Sequence, residues 1–136
     1  MTRQINIKLP AYRRGFHLIT DLIVRQLGPL PEAGLLQLFL QHTSAALTIN
    51  ENADPTVRYD LEKWFERLVG ERDPLYTHTL EGDDDMPAHI KTAIIGHSLS
   101  IPIVGGKLAL GIWQGVYLCE FRNHAGSRQI VATIIS

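Results

Sequence analysis

Ser98-Leu99-Ser100-Ile101-Pro102-Ile103-Val104-Gly105-Gly106-Lys107-Leu108-Ala109-Leu110-Gly111 reads as two strands, Ser98 to Val104 and Lys107 to Gly111, turned back at Gly105-Gly106. Two more strands follow, Ile112 to Arg122 and Gln129 to Ile135, so the C-terminal part is nearly all β. In Ile112 to Arg122, alternation places Gln114, Val116, Leu118, Glu120 and Arg122 on one face. Trp113, Gly115, Tyr117, Cys119 and Phe121 take the other. Upstream, Ile5, Ile7 and Leu9 alternate with polar neighbours in a first strand over residues 3 to 9. Gly34 to His42 reads as a buried strand with Leu36, Leu38, Leu40 and His42 on one face, and Ala45 to Asn50 as the next.

Three helices interrupt these strands. Leu18, Ile19, Leu22, Ile23 and Leu27 give a short helix stopped by Gly28-Pro29. Asp54 caps a second with Pro55 at its first position, and Val57, Leu61, Trp64, Phe65 and Leu68 form its apolar stripe down to Gly70. A third begins near Pro87, turns Ile90, Ala93 and Ile94 inward and stops at Gly96. Strands without regular βαβ alternation predict an α+β domain built on antiparallel sheets. The chain of 136 residues is expected to be one domain, 1–136, with 45% hydrophobic and 20% charged residues matching ordinary globular composition.

Thirteen basic and fourteen acidic residues leave a net charge of -1, which removes the broad attraction that nucleic-acid or anionic-membrane binding uses. No basic aromatic stripe is present. Cys119 is the single cysteine, which excludes an internal disulfide and a cysteine-rich zinc site. Its apolar neighbours suggest an inert packed thiol. The first residues lack an apolar signal core and no run approaches the ~20 apolar residues of a membrane span, so a cytoplasmic location is expected.

Candidate chemistry gathers around three histidines. His42 ends an apolar strand face at a sheet rim, a place for either a hydrogen-bonded core histidine or a ligand. Tyr76-Thr77-His78-Thr79-Leu80-Glu81-Gly82-Asp83-Asp84-Asp85-Met86-Pro87-Ala88-His89 packs two more histidines and four carboxylates around a glycine at a helix entrance. Helix-dipole compensation explains Asp83 but not His78 or His89. Three neutral imidazoles with one open position suit a catalytic zinc, so His42, His78 and His89 are the expected ligands. Magnesium and manganese are the alternatives. His97, just after Gly96, is either a fourth ligand or a helix C-terminal cation; His17 and His124 rank lower. Glu120 and Arg122 form either a surface ion pair or, if covered, an anion clamp with an acid/base partner. Glu51 and Asn52 lie in a polar strand-to-helix loop where turn chemistry accounts for Asp54.

Three segments carry a resemblance: His42-Thr43-Ser44-Ala45-Ala46-Leu47-Thr48-Ile49-Asn50-Glu51-Asn52, Asp84-Asp85-Met86-Pro87-Ala88-His89-Ile90-Lys91, and Leu110-Gly111-Ile112-Trp113-Gln114-Gly115-Val116-Tyr117-Leu118-Cys119-Glu120. The chain resembles the YjbQ family of small bacterial and archaeal proteins, to which a secondary thiamine-phosphate synthase activity is assigned. Ile112 departs from the threonine usual before Trp-Gln. The resemblance implies a sandwich of two antiparallel sheets with about three helices, and a homotrimer with clefts between subunits. It carries the ligand role to His42, His78 and His89, and site roles to Glu51, Asn52, Asp84, Asp85, Gln114, Glu120 and Arg122. Glu51, Asp84 and Glu120 are expected as acid/base groups; Asn52, Asp85, Gln114 and Arg122 as contacts to a small anionic substrate. Joining two phosphorylated heterocycles requires positive charge on a diphosphate leaving group, and this site offers only Arg122 and Lys91 besides a metal. A thiamine-phosphate synthase-like transferase activity is therefore expected as a side activity. The other expectation is a non-catalytic homotrimer that binds a metabolite or metal.

Overall fold

The computed structural model describes residues 1–136. In chain order its elements are β1 (Thr2–Lys8), β2 (Gly15–Leu18), α1 (Thr20–Leu27), β3 (Ala33–Leu40), β4 (Ala45–Glu51), α2 (Pro55–Leu68), α3 (Asp85–Ile95), β5 (Ser98–Val104), β6 (Lys107–Leu108), β7 (Gln114–Glu120) and β8 (Gln129–Ile135). They build two antiparallel sheets, a five-stranded one of order β1-β8-β3-β5-β6 and a three-stranded one of order β2-β7-β4. β8, last in the chain, lies between β1 and β3, and Thr2 pairs with Ile135.

Alternation explains how β7 is buried on both faces. Val116 and Leu118 point into the main core between the sheets, with Ile7, Leu36, Leu38, Leu40, Leu47 and Ile130. Ile23 and Leu27 of α1 close that core. Each such residue fully removed from water contributes roughly 1.5–3 kcal/mol before its entropy cost. Tyr117 and Cys119 point the other way, into a smaller cluster with Phe16, Ala46, Ala88 and Phe121, onto which Leu61 and Phe65 of α2 pack. The layers are therefore sheet, sheet, helices. No helix is long and apolar enough to cross a membrane.

Five expectations change. β2 emerges as a separate strand paired with β7, and it takes Leu18 from the expected first helix. Strand Lys107 to Gly111 shortens to β6, and β7 starts at Gln114 because Gly111 to Trp113 form a turn closed by Gln114 N–H to Gly111 O. No residue of α2 is fully buried, and Trp64 and Leu68 are mostly exposed. α3 turns Asp85, Ala88, Lys91 and Thr92 inward rather than Ile90, Ala93 and Ile94. Ion pairs set that rotation: Asp85 binds Arg122 and Lys91 binds Glu66, so the inward stripe is half polar and escapes a hydrophobicity pattern.

Candidate metal centre

The first turn of α3 presents Asp85 and, one turn on, His89; the extended segment before it brings His78 alongside. One oxygen of Asp85, Oδ2, lies 2.7 Å from His78 Nε2 and 3.1 Å from His89 Nε2. The three donor atoms fall within 4.8 Å of one another, a His/Asp triad capable of holding a metal ion. Gly82, at φ 110°, makes the turn that leads into the helix.

The hydrogen bonds around the triad fix its protons. His89 Nδ1 is 2.8 Å from the carbonyl oxygen of Thr43. A carbonyl only accepts, so Nδ1 carries a proton and donates it. In the neutral ring Nε2 then offers a lone pair, and it faces Asp85 Oδ2, which is also an acceptor when ionised. Burial pushes the Asp85 carboxyl up, but the hydrogen bond with His78 and the charges of His89 and Arg122 outweigh it and hold it below its ordinary value. Two acceptors at 3.1 Å need a positive charge between them, either a proton or a metal cation. Donation of the far ring N–H to a backbone carbonyl is the usual support of a metal-bound histidine.

Arg122 orients the carboxylate. Its Nη1 donates to Asp85 Oδ1 at 2.5 Å, its Nε to Asp84 Oδ2 at 3.0 Å and its Nη2 to Glu81 O at 2.9 Å. Asp84 also accepts from Asn123 N–H, and these bonds with the guanidinium charge overcome burial and keep its carboxyl below its ordinary value. Arg122 is thus spent on Asp84 and Asp85, which corrects its expected role as an anion clamp. Asp84 likewise faces a guanidinium and a backbone N–H, not open solvent.

A family model described as UPF0047 protein YjbQ-like matches residues 3–136. The chain belongs to the YjbQ-like UPF0047 family. It is 52% identical over 136 residues to the UPF0047 protein YjbQ of Escherichia coli O157:H7, with 98% of each chain covered. Among solved structures, an uncharacterized conserved yjbq/upf0047 family protein from Clostridium acetobutylicum is 36% identical. It superimposes with a TM-score of 0.83, covering 96% of this chain and 99% of that one. A YbjQ-like protein of unknown function from Sulfolobus solfataricus shares the fold at a TM-score of 0.85 and 23% identity, with 98% and 96% covered.

The remaining candidates of this YjbQ-like chain fall into other places. His42 stands outside the triad: β3 ends at Leu40, and His42 Nε2 accepts from the backbone N–H of Gln129 at 2.8 Å. Burial and the charge of Arg128 push its imidazole down, against a smaller opposing effect of Glu120. Glu120 has no exposed surface and is bound in a fork by Arg128, Nε to Oε1 at 2.7 Å and Nη2 to Oε2 at 2.6 Å. Arg128 also donates to Ser44. This sealed pair corrects the acid/base reading of Glu120, and Arg128 is the partner that the sequence reading missed. Only its separation from Glu120 by eight residues across a turn hinted at it.

Glu51, Asn52 and Gln114 sit at the opposite end of the three-stranded sheet. Ala45 pairs with Glu120 near the triad and Glu51 with Gln114 six residues further, about 20 Å along the strands. There they fasten loops: Asn52 Nδ2 donates to Ile112 O and Gln114 O, Gly111 N–H donates to Gln114 Oε1, and Asp54 N–H donates to Glu51 Oε2. His97 meets Phe39 edge-on, His17 stacks on Tyr12, and neither joins the triad. Burial pushes the Cys119 thiol up, consistent with an inert packed side chain.

Proposed function

We propose that this protein is a small-molecule enzyme working with one divalent metal held by His78, His89 and Asp85. The observation that carries this reading is His89: with Nδ1–H given to Thr43 O, its Nε2 and Asp85 Oδ2 face each other, an arrangement that a metal cation would satisfy in place of a proton. Two imidazoles and a carboxylate favour zinc, with magnesium and manganese less suited to the nitrogen donors. Such an ion would supply Lewis acidity to a substrate oxygen. The chain's own part is to fix the donors: Arg122 pins Asp85 Oδ1 and so aims Oδ2, while Thr43 aims the His89 ring. Because Arg122 is already engaged, a thiamine-phosphate synthase-like transfer would have little basic help beyond the metal, and it remains proposed as a side activity.

Assembly into a homotrimer belongs to the same proposal. Leu35, Phe39 and Ile135 leave apolar surface on the outer face of the five-stranded sheet, and Ile112 and Trp113 on the loop before β7. Covering such surface is what a subunit interface does. A neighbouring copy could then bring Glu51, Asn52 and Gln114 toward the metal. The alternative, a non-catalytic metal- or metabolite-binding trimer, differs in one respect: it requires no turnover by the metal-loaded protein.

Metal analysis of protein purified without a histidine tag tests the centre. One zinc per chain is expected, with His78→Ala, His89→Ala and Asp85→Asn each losing it while remaining folded. Affinity should fall steeply between pH 7.5 and pH 5.5, because protons compete with the metal for the lone pairs of the two ligand imidazoles. Less than half an equivalent after zinc supplementation, or unchanged affinity at pH 5.5, would sink the assignment.

A further inference from the structure

We propose that the cleft beside the triad, lined by His42, Thr43, His89 and His97, receives an oxyanion end of the substrate, a carboxylate or phosphate ester, and that His42 orients it by donating from Nδ1–H. This deepens the metal-enzyme reading and rests on it. The cleft is an open depression of about 390 Å³, completed by Thr92, Ala93 and Gly96. His89 forms one wall, and its Nε2 faces Asp85 Oδ2 of the triad, so the cleft and the candidate metal centre share this imidazole.

The proton on His42 is fixed by geometry. Gln129 N–H can only donate, and it donates to His42 Nε2, so the neutral ring carries its hydrogen on Nδ1. Both nitrogens are thereby assigned, one as acceptor and one as donor, and no lone pair is left for a metal. Within the chain Nδ1–H meets no acceptor, yet it is not among the sealed unpaired atoms, so it reaches the cleft or solvent. A donor without a protein acceptor at the wall of a cavity beside a metal centre is suited to a ligand oxygen.

The composition of the cleft narrows the ligand class. It contains imidazoles, threonines and small residues, with no carboxylate to repel an anion and no lysine or arginine to neutralise one. An anionic oxygen placed there takes its hydrogen bond from His42 and its charge balance from the metal, a division in which neither suffices alone.

The test uses the full chain loaded with Co²⁺, whose visible absorption reports on its coordination, in three forms: unchanged, His42→Ala and His42→Asn. Inorganic phosphate and acetate are titrated separately to distinguish the two oxyanion sources. All three forms are expected to hold one metal with affinities within about threefold, and circular dichroism checks that they remain folded. Loss of one neutral hydrogen bond predicts anion binding weakened roughly three- to tenfold in His42→Ala. His42→Asn, which keeps an N–H donor at the same branch of the side chain, should recover most of it. Equal anion affinity in His42→Ala, or no anion binding by the unchanged protein, overturns the proposal. Loss of metal by His42→Ala also overturns it, by making His42 a ligand, and leaves the metal centre standing. Failure of the unchanged protein to bind metal defeats the underlying reading instead.

Discussion

His42 shows how one side chain ties acidity to stability. Its folded-state value is lowered by burial and by Arg128, so between that value and the ordinary 6.5 the unfolded chain binds the proton more readily. Its contribution is complete above pH 6.5 and is lost as pH falls below. Asp84 and Asp85, also lowered, contribute fully above their ordinary 3.8 and lose that contribution as pH falls below it. Thermal melts of metal-free protein across pH 7.5 to 3 should therefore show His42→Gln converging on the unchanged chain between pH 7 and 5. A constant difference would contradict the sign. Glu120 and Arg128 offer a second residue-scale outcome. Glu120→Ala leaves a buried guanidinium uncompensated and should cost about 3–5 kcal/mol in urea unfolding, with metal stoichiometry unchanged. Loss of metal without loss of stability would restore Glu120 to the site. The histidines and carboxylates at the entrance of α3 were legible in the sequence as a dense polar run, whereas the role of each was not. Alternation carried His42 toward the core only as long as β3 continued, and β3 stops two residues earlier.

α2 is attached unusually for a helix of 14 residues. Leu61 and Phe65 supply partial apolar contact, Arg58 lies over the ring of Tyr117, and Glu66 accepts from Arg14 and from Lys91. Lys91 is 1% exposed and its ammonium lies 5.4 Å from the ring centre of Phe121. The two ends of the Lys91–Glu66 pair should respond differently. Glu66→Ala strands the buried ammonium and is expected to cost about 1–3 kcal/mol, reduced from a fully buried pair because Glu66 is a third exposed. Lys91→Met keeps the packing and leaves Glu66 its bond to Arg14, so it should stay within about 1 kcal/mol of the unchanged chain. Equal losses would show that the two groups do not depend on each other in this way. Sequence periodicity found α2, its Asp54 cap and its Pro55 start, because these are local chemistry. It missed β2, four residues whose strand identity depends on pairing with β7 a hundred residues away, and it misjudged the rotation of α3, which salt bridges from other elements impose.

At the scale of the molecule, antiparallel strands were readable from period-2 alternation, the division into two sheets followed only from the family resemblance, and β8 has the bounds that alternation gave it. The order of strands was not readable, since no local signal says which edges pair. The proposed trimer has a direct check: light scattering should give the mass of three chains, and Phe39→Lys, on the exposed face of β3, should shift it toward one while a single folded chain persists. An unchanged mass would move the interface elsewhere. The position of β8 between β1 and β3 bears on how the protein is born. A ribosome delivers β1 first and β8 last, at roughly 5–20 residues per second, so β1 waits on the order of ten seconds for its only neighbour. Throughout translation the edges of β1 and β3 that β8 will bridge are unpaired templates. The nascent chain is then an open half-sheet that closes in a single late event, and a stalled or clipped transcript ending before Gln129 would leave behind an adhesive fragment.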